Sequence, residues 1–406
     1  MEKKHTSSNL SAHKRSKGVK TAIRFIVLLG LISLFSDMTY EAARSINGQY
    51  LDILGTNGAT VGWVAGLGEL LGYGLRVISG YFADKTRKYW IIMFTGYILN
   101  LISVPLLAFA GYWQLAVVLM VAERVGKAIR TPARDAMLSY GTQEMGRGWG
   151  FGLHEALDQV GATVGPLLVS AALLYRNQSY HDAYLLLLIP AVFALSILTF
   201  ASRQYPNPEE LEIKVKTTGL ETSGYSRKFW VYLIAVIFIA MAYADFPLVA
   251  FHFKKIHLMK DETIPIFYAV AMASDAFAAL ILGKLFDWIG IVALMVATLI
   301  SLFFAPLVFM GGFHAALLGM VFWGIGMGAQ ESIVKAEVAK IIPPEKRGLA
   351  FGVFNTGFGI FWFLGSVLMG YLYDFSLTGL IIFSMLGQLM SIGTLFFLKI
   401  SKTTAY

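Results

Sequence analysis

Gly80-Tyr81-Phe82-Ala83-Asp84-Lys85-Thr86-Arg87-Lys88 closes one long apolar run, and Gly283-Lys284-Leu285-Phe286-Asp287-Trp288-Ile289-Gly290 closes another, 203 residues later. In both, a glycine is followed two positions on by an apolar side chain and two further by an aspartate. A second repeat lies at nearly the same offset: Arg147-Gly148-x-x-Phe151-Gly152 recurs as Arg347-Gly348-x-x-Phe351-Gly352, 200 residues on. Chains assembled from a duplicated bundle keep weak similarity at one spacing, so the two matches mark two halves of one topology. They are expected to be related by an axis along the membrane normal.

The membrane enters through composition. Of the 406 residues 57% are hydrophobic and 14% charged, against roughly 25% charged in soluble domains. A soluble fold could not bury so much apolar surface. A helix needs about 20 mostly apolar residues to cross a bilayer, and such runs fall near 22–43, 58–82, 89–112, 113–134, 148–175, 182–201, 229–252, 263–283, 290–312, 313–335, 348–372 and 378–398. The expected fold is an all-α membrane protein with twelve transmembrane helices in two pseudo-symmetric six-helix bundles. The bundles occupy 22–201 and 229–398, with an N-terminal tail over 1–21, a polar linker over 202–228 and a C-terminal tail over 399–406.

Lys and Arg gather in the N-terminal tail, at Lys85/Arg87/Lys88, at Arg134/Arg147, in the linker, at Lys340/Lys346/Arg347 and at Lys399/Lys402. By the positive-inside rule both termini and the linker face the cytoplasm, in a multi-pass protein of the inner (cytoplasmic) membrane. Lys254, Lys255 and Lys260, in an outer loop, run against that bias locally. The net charge of +8 is read as these retained loop cations and not as a nucleic-acid surface, since no basic patch is interleaved with exposed aromatics. Cysteine is absent, which excludes disulfides and thiolate chemistry. The run Phe25–Phe35 leads into Ser36-Asp37 with no small-residue cleavage site, so it reads as an uncleaved first span. No G-x-S-x-G, H-E-x-x-H or phosphate-binding G-x-x-x-x-G-K-[ST] occurs, so neither an enzyme nor an ATP-driven pump is expected. No cofactor is expected, and a monomer is.

Spans three, six, nine and twelve carry no ionisable side chain in their apolar stretches, whereas the other spans hold nearly all the buried charges. A charge at the centre of a bilayer helix costs several kcal/mol, so charged helices should line a wet interior and every third helix should face lipid. With a rise of about 1.5 Å per residue, Glu69, Arg124, Asp158 and Asp275 fall near the midplane, with Asp37 and Asp245 nearer the outside and Glu331 near the cytoplasmic end. Acids are expected to outnumber bases at mid-depth.

The loop Gly80 to Lys88 resembles the signature G-x-L-a-D-r-x-G-r-k of the major facilitator superfamily, with Arg87 where the second glycine is usual; the second copy keeps that glycine as Gly290. In span four, Glu123-Arg124-x-Gly126-Lys127-x-x-Arg130-x-Pro132-x-Arg134-Asp135 places Lys127, Arg130 and Arg134 on one face, and Arg124 is similar to the superfamily's buried span-four arginine. Gly161-x-x-x-Gly165-Pro166 resembles the antiporter signature g-x-x-x-G-P-x-x-g-g, with Val169 and Ser170 in place of the closing glycines. The resemblance implies the twelve-helix major facilitator fold. It implies a conformational latch at Gly80, Asp84, Gly283 and Asp287, with Arg134 as a candidate partner of Asp84, proton coupling through Arg124, and a helix pivot at Gly161, Gly165 and Pro166.

The residues themselves suggest the rest. An arginine does not release a proton near neutral pH, so coupling needs a carboxylate that meets it in one conformation only. Asp37, with Glu41 as alternative, lies at a compatible depth. Glu69, Asp158 and Asp275 are the candidate solute contacts, because intramembrane acids are functional by default. His154 and Asp158, one turn apart, suit a hydrogen-bonded pair, a proton relay or metal ligation; Arg130 and Arg134 suit either the wet interior or snorkelling to the interface. The function these point to is a secondary transporter of a small neutral or cationic solute, by proton-coupled antiport. The alternatives are uptake by symport, including of a metal or its chelate, and a membrane sensor or scaffold, which would call for a sizeable extramembrane output domain.

Overall fold

The computed structural model describes residues 2–142, 147–207, 225–342 and 347–403, and the side chains among them from Lys20 onward, apart from 141–142, 147–152, 335, 339, 347–350 and 401–403. Residues 208–224 of the expected linker, and the side chains of Arg147, Gly148, Phe151, Gly152, Arg347 and Gly348, therefore lie outside the described residues. Helices account for nearly all of the rest: α1 Glu2–Ile53, α2 Gly58–Thr86, α3 Tyr89–Leu106, α4 Trp113–Thr142, α5 Arg147–Tyr175, α6 Tyr180–Leu186, α7 Leu188–Gln204, α8 Arg227–Met241, α9 Phe246–Lys255, α10 Ile264–Ile289, α11 Val292–Ser301, α12 Phe304–Phe309, α13 Phe313–Ala329, α14 Lys335–Ile341, α15 Arg347–Phe375 and α16 Leu377–Thr403. Lipid offers backbone groups no hydrogen-bond partners, so a chain this apolar closes its bonds within helices.

Eleven helical stretches among the described residues are long and apolar enough to cross a membrane. To these α4 adds a twelfth crossing of 30 residues, which is set apart by Glu123, Arg124, Lys127, Arg130, Arg134 and Asp135. Crossings six, seven and nine are each built from two helices in line (α6–α7, α8–α9, α11–α12). Crossing ten is α13 continued by a π-helical turn, Gln330–Val334, into α14. Polar caps start several helices: Asn57 accepts from the Thr60 amide, Ser179 from Asp182 and Ser226 from Phe229. With an even number of crossings both chain ends lie on one face, here the terminal face; the opposite one is the distal face.

The duplicated loops share a backbone device. α2 is capped by Arg87 at φ 52° and α10 by Gly290 at φ 62°, positions 203 apart in the sequence. Both have positive φ, but only Arg87 (ψ 15°) is in the left-handed helical region, at a cost of about 1–2 kcal/mol for a side chain with a Cβ, whereas Gly290 (ψ −139°) takes a different conformation that glycine adopts freely.

Within lipid, helices associate by close packing and not by a hydrophobic force, so small residues mark the crossings. A Cβ on Gly161 would stand 2.3 Å from the Leu34 carbonyl oxygen, and one on Gly165 2.5 Å from that of Met38, which fixes α5 against α1 on either side of Asp37. The two halves meet closely on the distal side. There a Cβ on Gly48 would lie 1.9 Å from the Pro247 carbonyl oxygen, and one on Gly62 would lie 2.4 Å from that of Ser366. The amides of Gly58 and Ala59 donate to Asp374 (2.9 and 2.7 Å). Ser170 donates to the Glu262 carbonyl (2.6 Å), and Tyr180 joins Gln49 (2.5 Å) to Asp261 (3.0 Å).

Candidate functional site

Between the halves lies a cavity of about 250 Å³ that extends from mid-depth toward the terminal face. Its lining comes from α1, α2, α4 and α5 on one side and from α10, the π turn with its flanks, and α15 on the other. None comes from crossings three, six, nine or twelve, the four whose apolar stretches carry no ionisable residue. All six acids and bases singled out for solute and proton, Asp37, Glu41, Glu69, Arg124, Asp158 and Asp275, line it. So do Arg44, Arg76, Lys127 and Arg134. The expected excess of acids is thus met by a row of cations from α1, α2 and α4.

Arg44 is the centre of an ionic cluster at the cavity floor. Its guanidinium donates to Glu69 (2.8 Å) and lies 3.8 Å from Glu41 and 4.0 Å from Asp245. Arg124 reaches the same Glu69 (3.5 Å) and its neighbour Glu123 (3.3 Å). Lys127 stands 3.7 Å from Glu41 and over the Tyr40 ring at 4.0 Å. Tyr268, from the other half, donates to Glu41 (2.5 Å). Buried charges survive only where such partners satisfy them.

Asp245 is held in a break of the helix. α8 ends at Met241 and α9 begins at Phe246, with Pro247 in its first turn. The carbonyls exposed by the break accept from Trp323 (to Ala244, 2.9 Å) and Ser384 (to Ala242, 2.7 Å), which is how non-helical backbone persists at membrane depth. Asp245 itself is 3% exposed and accepts from Trp362 (3.0 Å) and from Ser366. It thereby links the second half to Arg44.

Asp37 accepts a hydrogen bond from Tyr40 (2.6 Å). Among the described residues Arg124 makes no ion pair with it, being engaged by Glu69 and Glu123. Arg134 goes to Asp135 (2.9 Å), Asp158 (3.6 Å) and the Ser33 hydroxyl (3.0 Å), not to Asp84. His154 lies 3.5 Å from Asp158, and no group of three acid or histidine side chains among the described residues converges as a metal site would require. Arg130 does not snorkel. It is fully buried, donating to the Tyr97 hydroxyl (3.1 Å) with its guanidinium 4.4 Å from that ring. Asp275 is 2% exposed on the opposite wall, its backbone carbonyl packed against Gly328, just ahead of the π segment. Asp84 and Asp287 are exposed at the terminal face, outside the cavity. A Cβ on Gly80 would find Pro132 at 3.5 Å, and one on Gly283 nothing within 4 Å.

Sequence reading passed over Arg44, Arg76 and the Asp245 break. Phe246-Pro247 inside an apolar run was the available signal for the last. Arg44 and Arg76 were hidden because nothing local to either says which helix it faces.

Two six-crossing halves around a charged central cavity match the architecture that the duplicated loops imply, and the profile of the Major Facilitator Superfamily matches residues 29–366. The chain belongs to that superfamily. Over 386 residues it is 36% identical to an uncharacterised protein of Mycobacterium tuberculosis, with 94% of each chain covered. An uncharacterised MFS-type transporter of Methanocaldococcus jannaschii is 27% identical over 93% of this chain and 94% of its own. Among solved structures the nucleoside transporter NupG superposes with a TM-score of 0.69 at 14% identity, covering 94% of this chain and 99% of that one; at that identity the likeness is one of fold. This superfamily member is a multi-pass membrane transporter, closed at the distal face and hollow toward the terminal one.

Proposed function

We propose that the chain is a secondary active transporter that moves a small solute by alternating access and couples it to protons by antiport, in the direction of export. The observation that carries this reading is the network at the cavity floor. It joins α1, α2 and α4 of one half to α9 and α10 of the other through Glu41–Tyr268 (2.5 Å) and Arg44–Asp245 (4.0 Å). Any opening of the distal face must break these cross-half contacts, so the protonation and pairing of the acids are tied to the conformational change. Glu69, Asp158 and Asp275 are the solute contacts on this reading, and Asp84 with Asp287 steadies the terminal face as it closes.

Asp37 is assigned the coupling proton. Among the described residues it is the buried first-half cavity acid whose bonded partner is a hydroxyl and not a cation. Its helix is gripped by Gly161 and Gly165 on either side of it, so a charge change there is felt at the α1–α5 contact, where the Gly-Gly-Pro pivot lies. Arg124, released from Glu69 in the other conformation, is the base that would receive Asp37. Burial favours the neutral acid and a facing guanidinium the charged one, so the exchange of partners loads and unloads the proton.

The test is transport in proteoliposomes with an imposed pH gradient, over a panel of solutes. Asp37→Asn is expected to abolish uphill transport while sparing solute exchange at equal pH, and Arg124→Ala to impair both. Normal uphill transport by Asp37→Asn and by Glu41→Gln would remove the proton from α1.

A further inference from the structure

Among the described residues each cation lining the cavity, but for one, is matched by an acid. Arg44 has Glu69, Arg124 has Glu69 and Glu123, Lys127 has Glu41, and Arg134 has Asp135 and Asp158. The exception is Arg76. It lines the cavity from α2, about 15 Å along the axis from that helix's terminal end, and its guanidinium makes no ion pair or side-chain hydrogen bond with any described residue. Among the described residues its Nε is buried without a partner, and the Tyr73 ring lies 5.0 Å from the guanidinium carbon. The nearest acid on its own helix, Glu69, already serves two other arginines. A guanidinium kept at membrane depth with its forked donors unspent is costly to the fold, and the fork matches the planar oxygens of a carboxylate or the face of a phosphate.

The surroundings define the rest of the ligand. Tyr73 packs edge-on against Phe358 (5.2 Å), and Phe358 continues to Phe354 (6.3 Å) and Trp362 (5.2 Å), so an aromatic ladder on α15 runs down the cavity beside Arg76. We propose that Arg76 anchors an oxyanion of the transported solute, whose apolar or aromatic body lies along Phe354, Phe358 and Trp362. This rests on the transporter reading and supplies its substrate class. It replaces the neutral or cationic solute expected from sequence, because two of the three acids proposed to meet it, Glu69 and Asp158, are taken up by Arg44, Arg124 and Arg134.

Binding is measured without flux, by thermal stabilisation of the purified full chain in phosphatidylcholine nanodiscs, where no lipid carries a net negative charge. The probes share one ring and differ in charge: benzoate and phenyl phosphate, with benzamide as neutral and benzylamine as cationic analogue. At least one anion should bind about tenfold more tightly than benzamide, as a charge-assisted forked contact warrants. Arg76→Gln should erase that difference without altering benzamide binding, and Arg76→Lys, which keeps charge but not the fork, should lose part of it. Equal binding of the anions and benzamide to the natural chain, or no Arg76-dependent stabilisation by either anion up to about 10 mM, overturns the proposal; the first comparison holds even if a variant fails to fold. Arg76-dependent stabilisation by added phosphatidylglycerol and not by the soluble anions would assign Arg76 to lipid and also overturn it. Loss of binding leaves the transporter reading standing, whereas retained binding with no flux in proteoliposomes would overturn that reading alone.

Discussion

Gly48 is the point at which the closed distal face can be tested with a single methyl group. A Cβ there would stand 1.9 Å from the Pro247 carbonyl oxygen and 2.9 Å from the Phe251 amide nitrogen, both in the opposite half. Ordinary contact begins at 3.4 Å, so Gly48→Ala is about 1.5 Å short of room, and the obstacle is backbone, which cannot rotate away. Overpacking of this kind costs about 1–3 kcal/mol. The strain arises only while α1 and α9 are together, so it acts on the equilibrium between conformations, a shift of about 5–150-fold against the distally closed state. The chain has no cysteine, so a single reporter such as Asn355→Cys, on the cavity wall, reports how often the terminal side is open. Its labelling by a bulky thiol reagent from the terminal face should slow in Gly48→Ala, by up to the full factor of about 5–150 where the terminally open state is the minor one. Gly62→Ala, whose Cβ would meet the Ser366 carbonyl oxygen at 2.4 Å, should act in the same direction, and Gly111→Ala, with nothing within 4 Å, should not act at all. Unchanged labelling in both Gly48→Ala and Gly62→Ala, with both chains folded, would refute the assignment of these contacts to one conformation.

Glu69→Gln removes the carboxylate that holds both Arg44 and Arg124. Breaking a buried pair costs about 3–5 kcal/mol, so the melting temperature in detergent should fall sharply, and Glu69→Gln combined with Arg124→Gln should recover part of the loss. Asp84→Asn, exposed at the terminal face and outside the cavity, should slow flux in proteoliposomes while leaving solute affinity unchanged. An equal loss of affinity would make Asp84 a ligand contact.

The twelve crossings and the two halves were legible in the sequence because both are local properties. A bilayer forces each crossing to close its own backbone hydrogen bonds, so length and hydropathy suffice to locate it. Duplication survives in turn positions such as Arg87 and Gly290, where the chain needs a positive φ twice. Crossing four, too charged to pass as an ordinary span, was recognisable as functional for that very reason. The ionisable residues likewise marked which helices surround the cavity, since a charge facing lipid is prohibitive.

Pairing was beyond that reading. Axial depth placed Arg124 within reach of Asp37, yet it meets Glu69 and Glu123. Axial depth is additive along one helix, whereas partner choice depends on the rotation of two helices about their axes and on the distance between them. Arg130 and Arg134 share a face by spacing, but the first is enclosed by Tyr97 and the second reaches Asp158. Arg76 shows the same limit in reverse. Its want of a counter-ion emerges only once Glu41, Glu69, Asp135 and Asp158 are seen to serve Arg44, Arg124, Lys127 and Arg134, a matter of how four helices pack. Local sequence thus settled which side chains enter the membrane, and the packing of helices, long-range and cross-half, settled which of them neutralise one another and which is left to meet a ligand.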